Sequence, residues 1–322
     1  MAIAPPHRRA RVLFAGRSVL DVLYRRDRLP EEDTKVFARE FQTRPGGPAL
    51  NAAVTHALLG GQGLLVSAVG GGPGAVVVRG ELERHGIQLL DLAAGTAYET
   101  PLATAWVNSA NGSRTVVNPP ASDVKMRRLD GPWEAEVGTL WGEMPPVVLS
   151  DGFYIEETLG LLAACRRAGA ALCLDGGSWK PGTAELAPLL TTAICSERFK
   201  VPGEGSNGQT GPGQWGPVSG AGAEGVFSWF GARGVPYVAV TRGARSILGW
   251  ERGRRFEIEV ERIAATDTLG AGDVLHGAFC HFFARTAEFE PALRRASGIA
   301  TLSCRSLGTE AWALDPSLRA AP

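Results

Sequence analysis

The residues with the clearest chemical potential are 267–273, which read DTLGAGD and run straight into an amphipathic stretch. Small side chains let a backbone approach a ligand closely. The N–H groups of Gly270, Ala271, Gly272 and Asp273 fall at a helix N-terminus, where unpaired donors and a partial positive charge suit phosphate oxygens. Asp273 stands in the first turn, beside that cradle, where a carboxylate can take the proton from an attacking hydroxyl. An anion cradle next to a base is what phosphoryl transfer to an alcohol requires. The plainer alternative is a glycine turn and a capping acid. Two acids bracketing two glycines favour the ligand reading.

Other candidates are weaker. GEGSNG at 203–208 matches G-x-G-x-x-G, but no strand leads in and no helix opens from it, so a dinucleotide site fails its context. No G-x-x-x-x-G-K-[ST] run occurs. Asp21 follows a strand at its C-terminal end, where ligands of open α/β sheets bind. Asp151 and Asp175 occupy similar places and stand evenly between a site role and a loop cap. Lys180 reads as a solvated lysine. His276 and His281 have no nucleophile beside them and read as packing or surface residues. Phe41 and Trp106 either cover a ligand face or pack a sheet.

These residues need a scaffold. Residues 11–16 (RVLFAG) read as a buried strand, 49–59 as a helix stopped by Gly60-Gly61, 64–69 as a strand and 75–85 as a helix closed by Gly86. The alternation resumes with strands at 147–150, 171–175, 192–195 and 237–241, and helices at 156–168 and 224–233. A hairpin of 246–250 with 255–260 follows, then helices at 273–285 and about 291–303. Strands alternating with helices predict one doubly wound, mainly parallel α/β sheet with helices on both faces. Two stretches break the rhythm. Residues 20–43 and 100–118, the second with an Asn111-Gly112 turn, predict a small antiparallel sheet serving as a lid on a single domain. The Gly/Pro-rich run 202–222 predicts an exposed loop.

Lys+Arg and Asp+Glu both count 33, so the formal net charge is zero and offers no nucleic-acid partner. The five cysteines form no C-x-x-C pair, which argues against a zinc or redox motif. Residues 1–10 lack a signal-peptide core, and no run approaches a membrane span, so a soluble cytoplasmic protein with no membrane partner is expected.

DTLGAGD before a helix resembles the C-terminal signature of the ribokinase-like (PfkB) carbohydrate kinases. GGPALNAAVTHALLG, carrying Gly46, Gly47 and Asn51, resembles their N-terminal signature. Gly16, Asp21, Asp33 and Thr241-Arg242-Gly243 extend the likeness over nearly the whole chain. GRSVLDV, EED and NGSRT are most similar to ketohexokinase-type members; the tail is also similar to sulfofructose kinase-like members. The resemblance implies ATP with Mg²⁺ and a small sugar, a ketose by the first likeness. Asp273 would be the base and Gly270, Ala271 and Gly272 the anion hole. Asp21, Gly47 and Asn51 would hold sugar hydroxyls, with Asp33 and Arg114 closing from the lid. Thr241, Gly243, Asp267 and Thr268 would contact the nucleotide, and Glu197, in CSERF, the metal. The family's lid also implies a homodimer through that sheet. The chain departs from the pattern at Pro48, at Ser246, in VGGGPG (no acid) and in CSERF (no Asn). Another small alcohol or nucleoside as acceptor stays open, as does a silent sugar- or nucleotide-binding regulator. A Rossmann oxidoreductase is disfavoured by GRSVLD after the first strand.

Overall fold

The computed structural model describes residues 9–110, 114–201, 209–211, 214–215 and 222–319. The apolar runs form strands: β1 (Arg11–Ala15), β2 (Val19–Arg26), β3 (Glu40–Gly46), β4 (Gln62–Ser67), β5 (Gln88–Asp91), β6 (Leu102–Asn108) and β7 (Arg114–Val117). Then come β8 (Val147–Ser150), β9 (Ala171–Gly176), β10 (Thr192–Ser196), the short pair β11 (Gln209–Gly211) and β12 (Gln214–Trp215), β13 (Tyr237–Arg242), β14 (Arg245–Glu251) and β15 (Arg254–Ile258). The helices are α1 (Pro48–Leu58), α2 (Gly72–Arg84), α3 (Thr139–Trp141), α4 (Ile155–Arg167), α5 (Thr183–Leu186), α6 (Gly222–Gly231), α7 (Ala271–Thr286) and α8 (Phe289–Ser303). None among the described residues is long and apolar enough to cross a membrane.

The main sheet has nine strands in the order β15-β14-β13-β10-β9-β8-β1-β4-β5. From β13 to β5 every neighbour is parallel; β14 and β15 add an antiparallel edge. Strand residues alternate between two cores, as the two-residue period of a pleated strand demands. Val12 and Phe14 face a cluster with α1, α2, α7 and α8. Leu13 and Ala15 face the other, with α4, α5 and α6. The expected doubly wound sheet is therefore present.

The second sheet has the order β3-β2-β6-β7. Its β2–β6 pair is parallel, so the sheet is mixed where the sequence suggested antiparallel pairing. The Asn-Gly turn expected at 111–112 lies outside the described residues, but the flanking strands pair antiparallel from Thr104↔Val117 to Val107↔Arg114. Most of the loop expected at 202–222 also lies outside them, as does 203–208; within it β11 pairs with β12.

Candidate active site

The chain lays β1, β4 and β5 outward in one direction, then returns to add β8 on the other side of β1. Loops leaving β1 and β8 therefore diverge, which opens the crevice where α/β sheets bind ligands. Asp151, the residue after β8, organises this mouth. It accepts the backbone N–H of Arg17 (2.8 Å) and Ala49 (3.2 Å) at Oδ2 and that of Phe153 (2.9 Å) at Oδ1. It thus ties the loop after β1 to the start of α1. A Cβ on Gly16 would fall 2.1 Å from this carboxyl, so only glycine leaves room. Burial pushes the Asp151 carboxyl up to about 6, against the pull of Lys180 and the amide bonds.

Asp273 sits at the head of α7. Gly270 caps that helix in the left-handed region (φ 78°), and no side chain caps the first-turn amides. The first bond of the helix runs from Val274 N to Gly270 O at 2.9 Å. The amides of Gly272 and Asp273 consequently precede any i−4 carbonyl partner and are open to an anion. A Cβ on Gly272 would meet nothing within 4 Å, so the space over this turn is empty of protein. Asn51 Nδ2 donates to Asp273 Oδ2 at 2.7 Å, joining α1 to α7 across 222 residues of sequence. The contact depends on Gly277, where a Cβ would stand 2.3 Å from the Ala52 carbonyl oxygen; its absence lets the two helices close up.

The Asp273 carboxyl is pushed up to about 7. Burial is the main cause, and the charge of Asp175 adds to it; the Asn51 bond and His276 act the other way. Asp175 lies near the C-terminal end of β9 and is itself buried. Its Oδ2 closes no well-aligned hydrogen bond but lies 3.3 Å from His276 Nδ1. His276 also packs Nδ1 2.7 Å from Gly272 O and Nε2 3.1 Å from Ile194 O. It thereby pins the first turn of α7 to the ends of β9 and β10.

The remaining expected residues divide into two groups. Asp21 reaches over Gly46, with its Oδ2 2.1 Å from where a Cβ there would be. Burial raises its carboxyl, and the charges of Arg44 and Arg17 lower it. Gly47 caps α1 at φ 102° with the Arg17 carbonyl 2.4 Å from its missing Cβ, so it contributes close approach. Asp267 takes the amides of Leu269 (2.8 Å) and Gly308 (3.1 Å), which makes it the brace of the turn, and the Thr268 carbonyl accepts from Ala271 N at 3.4 Å. Asp33, by contrast, is exposed on the loop between β2 and β3, at φ 56°. Arg114 pairs its backbone with Val107 at the far end of the second sheet; its side chain lies outside the described residues.

Thr241, Gly243 and Glu197 gather beyond β10 and β13. Glu197 N donates to the Thr241 carbonyl at 2.9 Å, Thr241 Oγ1 to the Cys195 carbonyl at 3.4 Å, and Gly243 makes the turn at φ 62°. Here a cavity of about 320 Å³ is lined by Glu197, Lys200, Ala223, Val226, Arg242 and Leu248. A larger one, about 440 Å³, lies by Arg11 and Pro146 at the start of β1 and β8, the opposite end of the sheet from Asp273. The chemistry decides between them: only the first adjoins the strand ends. Glu197 is half-exposed and ion-paired with Arg245. One carboxylate at this place suits Mg²⁺, which keeps several waters and takes few protein ligands beside phosphates. The His and acid cluster of Glu81, His85 and Glu310 lies on α2 and near the C-terminus and is already bridged by Arg84.

Sequence reasoning left Asp151 and Asp175 undecided and set His276 aside. Their common signal was position at strand ends and one turn beyond Asp273. What showed their use was the pairing of β8, β9 and β10 with β1 and α7, which no local pattern contains.

This architecture is that of a sugar phosphotransferase, and the comparisons agree. Residues 9–315 match the pattern described as "pfkB family carbohydrate kinase". The chain belongs to the PfkB family of carbohydrate kinases. It is 24% identical over 305 residues to a deoxyribokinase of Salmonella typhi, covering 93% of this chain and 94% of that one. It is 25% identical over 307 residues to a ribokinase of Bacillus subtilis, with the same coverage. The structure of Arabidopsis thaliana ribokinase complexed with ribose and ATP superposes with a TM-score of 0.68 at 18% identity, covering 93% of this chain and 94% of that one, a likeness of fold.

Proposed function

We propose that the protein transfers the γ-phosphoryl group of ATP to a primary hydroxyl of a small sugar, a ketose in the first instance. The observation that carries this reading is Asp273, half-buried at the uncapped head of α7 with a carboxyl pushed up to about 7. A base with that proton affinity can accept a hydroxyl proton near neutral pH. Asp273 takes the proton as the sugar oxygen bonds to the γ-phosphorus, and the bond from that phosphorus to the oxygen of departing ADP breaks. The open amides of Gly272 and Asp273, on the turn set by Gly270 and Ala271, hold the charge on the migrating group. Asn51 orients the Asp273 carboxyl, and His276 and Asp175 hold the turn. Asp21 faces the sugar. ATP is assigned to the cavity at Thr241, Gly243 and Glu197. Mg²⁺ would be held there by Glu197 through water and would neutralise phosphate charge. Sheet β3-β2-β6-β7 is assigned as the lid, excluding water as it closes, and its outer face as the contact with a second copy of the chain.

The Salmonella and Bacillus relatives carry names that favour pentoses, so ribose and deoxyribose belong beside the ketoses in any test. ADP release with ATP·Mg²⁺ across aldoses, ketoses and nucleosides, in the parent and in Asp273→Asn, decides the matter. Turnover of one acceptor, reduced by about 10²–10⁴-fold in the variant, is expected. Equal rates in both proteins would remove Asp273 as the base. ATP binding without turnover of any acceptor would favour a regulator.

A further inference from the structure

At the mouth of the crevice stand two half-buried cations, Arg17 and Lys180, which a neutral sugar would not call for. Arg17, on the loop after β1, places its guanidinium 5.1 Å from the centre of the Phe153 ring. Lys180, on the loop after β9, places its ammonium 4.6 Å from the centre of the same ring. Two like charges thus share one half-buried aromatic side chain, an arrangement that costs energy unless something negative joins them. Among the described residues neither closes an ion pair. Among the described residues the Arg17 side chain makes no hydrogen bond, and Lys180 Nζ reaches only its neighbour Ser178, at 3.3 Å to O and 3.4 Å to Oγ.

The acids nearby act on these cations through charge but close no ion pair with them. Asp151 feels Lys180 while its oxygens bond the three amides already described, and Asp21 stands across the strand pair from Arg44, whose charge acts on it more strongly than that of Arg17 does. Neutral donors complete the surround. The Tyr98 and Tyr154 hydroxyls meet at 3.2 Å, and both feel the charge of Arg17. The backbone has been shaped for this. Tyr154 adopts φ 57° although it is not glycine, and such strain concentrates at ligand sites. Gly152, at φ 80°, lies under the Lys180 stem, with its missing Cβ 3.3 Å from Lys180 Cδ. The loops that carry Arg17, Phe153 and Lys180 leave β1, β8 and β9, so both cations stand beside the crevice that Asp151 organises.

We propose that the acceptor carries an anionic group, a carboxylate, sulfonate or phosphate, seated between Arg17 and Lys180. The group lies on a carbon other than the one whose hydroxyl reaches Asp273. The assignment rests on the kinase reading above and narrows it from sugars in general to acidic sugars. Arg17 and Lys180 are specificity-determining residues, with the Tyr98 and Tyr154 hydroxyls as further donors to the same oxygens.

The test compares matched acceptors that each keep a free primary hydroxyl at C1: D-fructose, its 6-phosphate and its 6-carboxylate analogue. In the parent, kcat/KM for an anionic acceptor should exceed that for its neutral partner by about ten- to a hundredfold. That ratio should fall toward one in Arg17→Gln and in Lys180→Gln, and recover partly in Arg17→Lys, which guards against a folding defect. A parent that prefers neutral acceptors, or a ratio unaltered in the variants, overturns the proposal. So does a variant that raises KM for ATP alone, since the cations would then serve the γ-phosphate. Calorimetric titration of the same sugars without ATP separates the two readings. Arg17-dependent binding of an anionic sugar with no turnover sinks the kinase and keeps the subsite. Turnover of neutral sugars with no preferential binding of anionic ones does the reverse.

Discussion

At the residue scale, the proposed chemistry depends on the ionisation of Asp273. Its carboxyl is pushed up to about 7 from an ordinary 3.8, by loss of solvent around it and by the charge of Asp175. A raised value keeps the proton on until the pH climbs through it, so the fraction of ready base grows with pH. The rate at saturating ATP and low acceptor should rise with pH about tenfold per unit below 7 and level off above it; a profile flat from pH 5 to 8 would contradict this. Asn51→Leu removes the donor that steadies the charged form and should move the inflection upward. Gly272 offers a second check. Its missing Cβ has no protein neighbour, so Gly272→Ala should fold with an unchanged Tm. The new methyl group stands where phosphate oxygens must come, and turnover should fall by about 10²-fold. DTLGAGD made this pair readable in advance, since one segment carries both functions. The Arg17–Phe153–Lys180 cluster was not readable, because its members come from three separate loops, and a lone lysine after a strand has a solvated look.

At the element scale, the parallel strands were legible because each is an apolar run buried on two faces, as at Leu64, Leu65 and Val66. The helices read well where glycine stopped them. α2 begins at Gly72, before the expected 75, because Pro73 fits a first helical turn and extends it backward. The second sheet was legible only as a breach of rhythm. β3 is polar along much of its length, and the parallel pairing of β2 with β6 brings together segments with no local relation. The helix pair α1–α7 shows how an element places a residue. Gly277 lets α7 lie against the Ala52 carbonyl, and that closeness is what brings Asn51 within 2.7 Å of Asp273. Gly277→Val should force the helices apart, costing about 1–3 kcal/mol in chemical denaturation. It should lower kcat more than a surface substitution of equal stability cost, because the base loses its donor.

At the scale of the whole molecule, the outer face of the second sheet is the open question of assembly. Tyr24 stands in register with Phe41 and Trp106, and the three rings follow one another at 5.3 and 6.0 Å across β3, β2 and β6. Strand alternation puts them opposite Asp21 and Leu23. Val117 (64% exposed) and Phe41 (59%) leave this surface apolar and uncovered. Contiguous apolar surface of this kind marks an interaction site. Sedimentation at micromolar concentration should show a dimer, and Tyr24→Glu should give a monomer with the same far-ultraviolet circular dichroism. A parent that sediments as a monomer at every concentration would leave the lid sheet with no partner of its own kind.

The turn at Gly270 carries one more consequence, in the time of synthesis. Its shape is held from far along the chain: Gly308 donates to Asp267, and the Thr309 methyl carbon lies 2.4 Å from where a Gly270 Cβ would stand. A growing chain that has not yet added these two residues already contains Asp273, the head of α7 and Asp21, and still lacks the strut that sets the turn. On the proposed reading, turnover should therefore appear only once Gly308 and Thr309 have been added, and a chain cut just before them should bind but not turn over.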